Sequence, residues 1–159
     1  MATNDLQKTF EKFQREVAEA RKRFQEKKQK MFKETFKQFF ENNPAVTAVK
    51  WTQYTPFYND GDPCKFRVND PIFTNASEDD MDNVSVWGEY EGENESVWVA
   101  YFYEIKKLNV DGLNVADAEL LIEMMCSTKM EDIVENLFGD HVQVTATREG
   151  FDVHDYDHD

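Results

Sequence analysis

Residues 4–42 contain neither proline nor glycine. A run of that length predicts one long helix, closed at Asn42-Asn43-Pro44 because the residue before a proline is pushed out of the helical region. Along it Leu6, Phe10, Phe13, Val17, Ala20, Phe24 and Met31 recur at alternating steps of four and three, with Lys27 interrupting one slot. Leu6, Phe13, Ala20 and Lys27 share one heptad position; Phe10, Val17, Phe24 and Met31 share the other. An interval near 3.5 residues winds paired helices left-handed. Beyond Met31 the stripe widens to Phe32, Phe36, Phe39 and Phe40, a face suited to packing on a sheet. The first part of the helix is therefore expected to meet another helix in a homo-oligomer, and the last part to anchor to the body. A helix of about 38 residues runs about 57 Å at 1.5 Å per residue. The rest of the chain predicts a body with a gyration radius of about 13 Å. Part of the seam must project, fold back, or be covered by another chain.

Charge divides at the same place. Residues 1–43 carry eleven Lys or Arg against seven Asp or Glu, whereas 44–159 carry seven basic against twenty-five acidic residues. The division predicts a basic amphipathic oligomerisation helix over 1–43 and an acidic α+β body over 44–159. Such a body repels nucleic acid and anionic membranes and attracts basic protein surfaces. Neither direct nucleic-acid binding nor membrane contact is expected. The opening MATNDLQKTFEKF is charged, without the apolar core of a secretory signal, and no apolar run is long enough for a membrane span. Two cysteines, Cys64 and Cys126, are too few for a disulfide framework, so a reducing cytoplasm is expected.

The body alternates strand and turn signals. AVTAVKWTQYT (45–55) and CKFRVN (64–69) are expected to form one hairpin; NVSVWGEY (83–90) and SVWVAYFYEI (96–105) form a second around EGEN. Val97, Val99, Tyr101, Tyr103 and Ile105 alternate with Trp98, Ala100 and Phe102, so both faces of 96–105 are apolar, which predicts the central strand. TNASEDDMDN (74–83) reads as loop. Asn114 is a good N-cap for VADAELLIEMMCS, and Thr128-Lys129-Met130-Glu131 reads as a capping box before MEDIVENLF, stopped by Gly139. HVQVTA (141–146) and FDVHDY (151–156) flank a third turn. The fold class is α+β: a long coiled-coil-like N-terminal helix, an antiparallel sheet of about six strands, and two short helices.

WTQYTPFYNDGDPCKFRVNDP (51–71) concentrates the candidate chemistry. Asn59, Asp60 and Asp62 could offer oxygen ligands to a hard cation, but the loop lacks the terminal bidentate glutamate of an EF-hand. Asp60-Gly61 is a strong hairpin-turn dipeptide, and Phe57, Tyr58 and Phe66 sit where cross-strand aromatic pairs stabilise a ladder. The turn is the better reading. Tyr54, Phe57, Tyr58, Asp60 and Asp62 then remain as interface candidates. Cys64 has no thiolate-stabilising neighbour in sequence and reads as a buried, packing cysteine, and Cys126, inside LLIEMMCS, reads as core by the same argument. His154 and His158 share a face of an extended tail about 13 Å apart, too far for one metal. Lys22, Arg23, Lys27, Lys28, Lys30 and Lys33 are interleaved with Glu19, Glu26 and Glu34 at salt-bridge spacing, as on an exposed coiled-coil face. Carboxylates are densest at Glu78, Asp79, Asp80, Asp82, Glu89, Glu91, Glu93 and Glu95, with Asp140, Glu149, Asp152, Asp155, Asp157 and Asp159 adding to them. Rows of carboxylates on a sheet edge can imitate phosphate spacing and fill a basic cleft; they also discourage edge-to-edge aggregation.

WTQYTPFYNDGDPCKFRVNDP and the closing FGDHVQVTATREGFDVHDYDHD resemble segments of small uncharacterised acidic accessory proteins of large tailed bacteriophages. The resemblance carries no catalytic residues. It implies a protein made in the host bacterial cytoplasm, of a kind that often binds and inhibits a host factor, sometimes a defence nuclease. The expectation is a non-enzymatic protein without cofactor or metal whose acidic surface engages a basic host protein. A nucleic-acid-binding host protein is included in that class, with the acidic surface acting as a nucleic-acid mimic. Two alternatives stand beside it: a small metal- or cysteine-dependent enzyme using Asp60, Asp62, Cys64 or the tail histidines, and a virion or assembly component. The seam is open to test now. Phe13→Asp with Phe24→Asp is expected to lower the oligomer mass seen by light scattering, and an unchanged mass would reject it.

Overall fold

Strand β1 (Ala48–Tyr54) is buried along six of its seven residues. Burial on both faces makes it the centre of the molecule. The computed structural model describes residues 2–158 except Asn59 and Phe102. Around β1 stand helix α1 (Ala2–Asn42), strands β2 (Arg67–Val68), β3 (Ile72–Thr74), β4 (Val99–Tyr101), β5 (Val142–Thr147) and β6 (Gly150–Asp155), and helices α2 (Val115–Met125) and α3 (Thr128–Phe138). The sheet runs β4-β3-β1-β5-β6, with β2 also beside β1, and every pairing is antiparallel. This is the α+β class expected: a long N-terminal helix, a six-stranded antiparallel sheet and two short helices.

Strand membership differs from the sequence reading in three places. The 96–105 segment is not central; among its described residues the strand is Val99–Tyr101, at the sheet edge. Its two apolar faces meet different cores, Trp98 and Ala100 on the helix side, Val97, Val99 and Tyr101 on the other. Residues 83–90 make a single bridge, Val84 to Tyr90, instead of a hairpin with 96–105. The unexpected strand is β3, which occupies the place beside β1. Between Gln53↔Val68 and Lys50↔Ile72, two residues of β1 oppose three of the partner, a bulge holding Asn69, Asp70 and Pro71. Pro71 has no N–H to give a ladder, so a bulge is where it can sit. Phe102, Asn59 and Asp159 lie outside the described residues.

The two faces of the sheet are covered differently. Val49 and Trp51, with Phe73, Val144, Ala146 and Phe151, face the helices. There Phe32 and Phe36 of α1 meet an aromatic cluster: Phe36 stacks on Trp51 at 5.6 Å, Phe138 of α3 lies 5.9 Å from Trp51, and Phe151 lies 5.3 Å from Phe36. Gln53, wholly buried, is fully engaged: Trp51 Nε1 donates to its Oε1 (2.9 Å), and its Nε2 donates to Val134 O and Gly139 O at 3.1 and 2.8 Å. On the opposite face Ile72, Ala76 and Val84 form a small second core with Met81 and Tyr90.

Both short helices form where expected, but α2 stops at Met125, two residues before the end of VADAELLIEMMCS, and α3 starts at Thr128, two residues before MEDIVENLF. Asn114 caps α2 by accepting from Ala116 N and Asp117 N. The cap of α3 is Ser127, which accepts from Lys129 N; Met130 then stands three residues on, so the capping box expected over Thr128–Glu131 does not form. Gly139, at φ 96°, ends α3 in a conformation that L side chains avoid.

The C-terminus of α1 needs partners for its last carbonyls. Arg148 Nη2, from the β5–β6 turn, donates to Phe40 O and Asn43 O at 3.1 and 3.2 Å, a cation at the negative end of the helix dipole. Asn43, with no exposed surface, donates to Phe39 O (2.9 Å) and Asp117 Oδ2 (3.2 Å) and accepts from Asn114 N at 2.6 Å. This one side chain ties the end of α1 to the start of α2. Asn43→Ala removes three hydrogen bonds and leaves the part-buried Asn114 N–H without its acceptor, so a loss of about 2 kcal/mol is expected in denaturant unfolding.

Candidate functional site

Segment 78–95 folds into a lobe on the sheet face opposite the helices. It opens with the 3₁₀ helix Glu78–Asn83 and is pinned from below by Lys50, only 5% exposed, whose Nζ donates to Met81 O and Val84 O at 2.9 and 3.0 Å. Tyr90 Oη donates to Asp80 Oδ1 (3.0 Å) and accepts from Asn94 N (3.2 Å), and Glu91 N donates to Asn83 O (2.9 Å). Glu78, Asp79, Asp82, Glu89, Glu91, Glu93 and Glu95 are exposed, and Asp80 is half-buried. No lysine or arginine occurs between Arg67 and Lys106. Among the described residues none of these eight carboxylates closes an ion pair. The lobe is held by hydrogen bonds, and the Lys50 ammonium beneath it acts on Asp82 through space without closing an ion pair.

Beside it an open cleft of about 530 Å³ carries Glu78 and Asp82 on one wall and Glu149 and Asp152 on the other. Arg148 also borders the cleft, but its guanidinium is committed to the end of α1.

At the end of β1 an aromatic stack forms around the C-terminal tail. The His158 ring lies between Tyr54, 3.7 Å away, and Phe57, 4.5 Å away, with both rings near parallel to it. His141 lies in the same layer: its Nδ1 is 2.7 Å from His158 Nε2, one ring donating and the other accepting, and Phe57 covers it at 5.0 Å. Tyr156 lies 5.9 Å from Tyr54 and 6.3 Å from Trp87 of the acidic lobe. Asp140 holds the base of the stack. It accepts from Thr55 N (2.7 Å), Thr55 Oγ1 (2.6 Å) and His141 N (2.8 Å). Burial alone would raise its carboxyl, but these donors outweigh burial and hold it below the usual carboxylate range.

Of the residues singled out in 51–71, Tyr54 and Phe57 join this stack. Tyr58 is 79% exposed and donates to Asp60 Oδ1 at 3.1 Å. Asp60 and Gly61 both have positive φ, as an Asp-Gly turn requires, but they sit in a loop running from Tyr54 to Arg67, wider than a tight hairpin. Asp62 lines a shallow hollow with Pro56, Tyr58, Pro63, Lys65 and Arg67. The tail histidines separate: His154 stays on β6 opposite Gln143, while His158 turns onto Tyr54. Among the described residues no three His, Cys, Asp or Glu are grouped to hold a metal.

Cys126 is not a core residue. It is the exposed C-cap of α2, off the stripe formed by Ala118, Leu121 and Met125. Its thiol is pushed up to about 11 by loss of water around the sulfur and by Asp70, to which Sγ donates at 3.6 Å. That disfavours the thiolate. Cys64 is half-buried.

The heptad seam is bare. Leu6, Phe10, Phe13, Phe24 and Met31 are 57–71% exposed, Ala20 is exposed and Val17 half-buried. Burial begins at Phe32. The salt-bridge spacing on this helix is not used: among the described residues no Lys or Arg of α1 closes an ion pair. Lys28 lies over the Phe24 ring at 4.3 Å instead. Among the described residues no helix is long and apolar enough to cross a membrane.

Lys50 had a signal in the sequence, a lone cation inside AVTAVKWTQY; the His141–His158 pair had none, because it depends on how the tail folds back. Burial lowers the Lys50 ammonium from its ordinary range, with Asp82 partly opposing. Since the folded chain releases this proton before the unfolded chain does, the penalty on the charged form fades as pH rises towards 10.5. Relative to Lys50→Met, the wild type is therefore expected to gain unfolding free energy between about pH 7 and pH 10, measured by denaturant titration at both. No family model matches the chain, and no curated protein or solved structure was found to match it.

Proposed function

We propose that this chain is a non-enzymatic interaction protein: its acidic lobe occupies a basic surface on another protein, and its helix joins copies of the chain. The observation that carries this reading is the lobe itself, with seven exposed carboxylates in one folded segment and no ion pair to any of them among the described residues. Gathering like charges on one surface costs self-repulsion. A partner that brings lysines or arginines removes that cost, whereas water and salt only screen it. The cleft of about 530 Å³ beside the lobe adds Glu149 and Asp152 to Glu78 and Asp82 as carboxylates that such side chains can meet. A rigid array of carboxylates also suits a groove built for phosphates, so a nucleic-acid-binding protein is the partner class this surface fits best. The resemblance to accessory phage proteins points to a partner in the infected cell.

Such binding must be salt-sensitive. Basic proteins retained by the immobilised chain from a bacterial extract at about 0.05 M salt are expected to be lost at about 0.5 M, where charges are screened within a few ångströms. Changing Glu89, Glu91, Glu93 and Glu95 to Gln should abolish retention, while Asp111, Glu119, Glu123 and Asp132, exposed outside the lobe and neutralised together, should leave most of it. Equal loss from both variants would mean net charge, not the lobe, is responsible. Retention that does not change with salt would sink the reading.

A further inference from the structure

We infer that the bare seam of α1 is covered by the same seam of a second copy running antiparallel, so that two acidic bodies stand at opposite ends of one rod. The inference rests on the self-association proposed above and specifies its geometry. Exposure alone asks only for some apolar cover, since five large side chains are more than half open to water. The charges around the seam choose the occupant and its direction.

In heptad terms Phe10, Val17, Phe24 and Met31 take one core position, and Leu6, Phe13, Ala20 and Lys27 take the other. Gln7, Gln14, Arg21 and Lys28 flank one side; Thr9, Glu16, Arg23 and Lys30 flank the other. The flanking rows set the orientation of a helix pair. Parallel, in-register pairing puts each layer against itself, so two Lys27 ammonium groups share one core layer. It also sets Arg23 beside Lys28 of the second copy, twice by symmetry, with only Glu16 beside Arg21 in compensation. Worse, residues 21–30 hold six basic residues and one acid, and this segment would lie along its own copy.

Antiparallel pairing centred between Ala18 and Glu19 removes each conflict. Leu6 then meets Met31 of the second copy, Phe13 meets Phe24, Val17 meets Ala20, and Phe10 meets Lys27. The Lys27 stem can cover the Phe10 ring while its ammonium reaches water at the helix edge. On the flanks Glu16 meets Arg23 twice, and Gln7 and Gln14 meet Lys28 and Arg21. No like charges face each other. The basic 21–30 segment lies along residues 7–16 of the second copy, where three basic and two acidic residues nearly balance.

The bodies give an independent argument. Each carries a large negative excess, with twenty-five acidic against seven basic residues over 44–159. Parallel helices would hold both bodies at one end. In the antiparallel register Phe32, where burial begins, is level with Asp5 of the second copy, so the two anchoring points stand about 40 Å apart at 1.5 Å per residue. That is several screening lengths at physiological salt, about 8 Å each.

Full-length chain lacking its own thiols (Cys64→Ser, Cys126→Ser) provides the test. Leu6→Cys and Met31→Cys variants are mixed, oxidised and compared with each variant alone, and mass is followed by sedimentation. The expected result is a dimer in which the two variants cross-link to each other, with little self-cross-linking of either. A dimer in which Leu6→Cys links to itself would overturn the antiparallel inference and leave self-association standing. A monomer at tens of micromolar would remove both. A sign test needs no thiol: Arg23→Glu should weaken the antiparallel dimer by about fivefold through contact with Glu16, and adding Glu16→Arg should restore it. In a parallel dimer Arg23→Glu would face Lys28 and tighten association, the opposite outcome.

Discussion

The seat of α1 on the sheet governs what the rest of the molecule can do. Strand β1 is seven residues long, about 23 Å at the usual rise, so it can cover only about fifteen residues of a helix laid along it. Phe32, Phe36, Phe39 and Phe40 fall within that allowance, and Phe36 stacking on Trp51 locks the depth. Arg148 and Asn43 then close the helix end with backbone and side-chain hydrogen bonds, which prevents the helix from sliding outward. Everything before Phe32 has no sheet beneath it. A long helix on a short sheet leaves an apolar seam uncovered by geometry, whatever its sequence.

The sheet also separates two kinds of surface. One face carries an aromatic core sealed by three helices; the other carries a thin second core under the acidic lobe. Lys50 is the cation beneath that lobe, and it spends its donors on the backbone of the lobe, at Met81 and Val84, not on a carboxylate. It therefore fixes the shape of the segment without quenching its charge. A lysine exposed among the glutamates would have done the reverse.

At the far end of β1 the tail is held by ring stacking and a histidine pair, with Asp140 fixing the loop that starts at Thr55. His141 adopts φ 57°, an uncommon conformation for a side-chain-bearing residue, and its backbone is held on both sides by Asp140 Oδ1 and Tyr156 N. Strain of this size persists only where surrounding contacts over-determine it. Tyr54 and Phe57 thus serve to hold the tail, while Phe57, 67% exposed, and Tyr58, 79% exposed, both still present most of their surface to water.

Local rules were enough for the helices, the Asn114 cap and the third hairpin. The absence of proline and glycine over 4–42, the Asn114 cap and the Gly139 stop each act through near neighbours, so they are legible residue by residue. The heptad seam and the charge division were legible for the same reason. Strand order was not, because an apolar-both-faces pattern fits a central strand and also an edge strand between two cores, as 97–101 shows. Nor could spacing reveal that Pro71 marks a bulge, that Cys126 falls just off its helix's buried stripe, or that His158 comes to rest on Tyr54 and His141. Those depend on contacts between residues tens of positions apart. The sequence by itself determined a basic amphipathic rod, an acidic body and the pairs of charges that flank the seam. Only tertiary structure decided which phenylalanines are buried, because that is set by how much helix the sheet is long enough to cover.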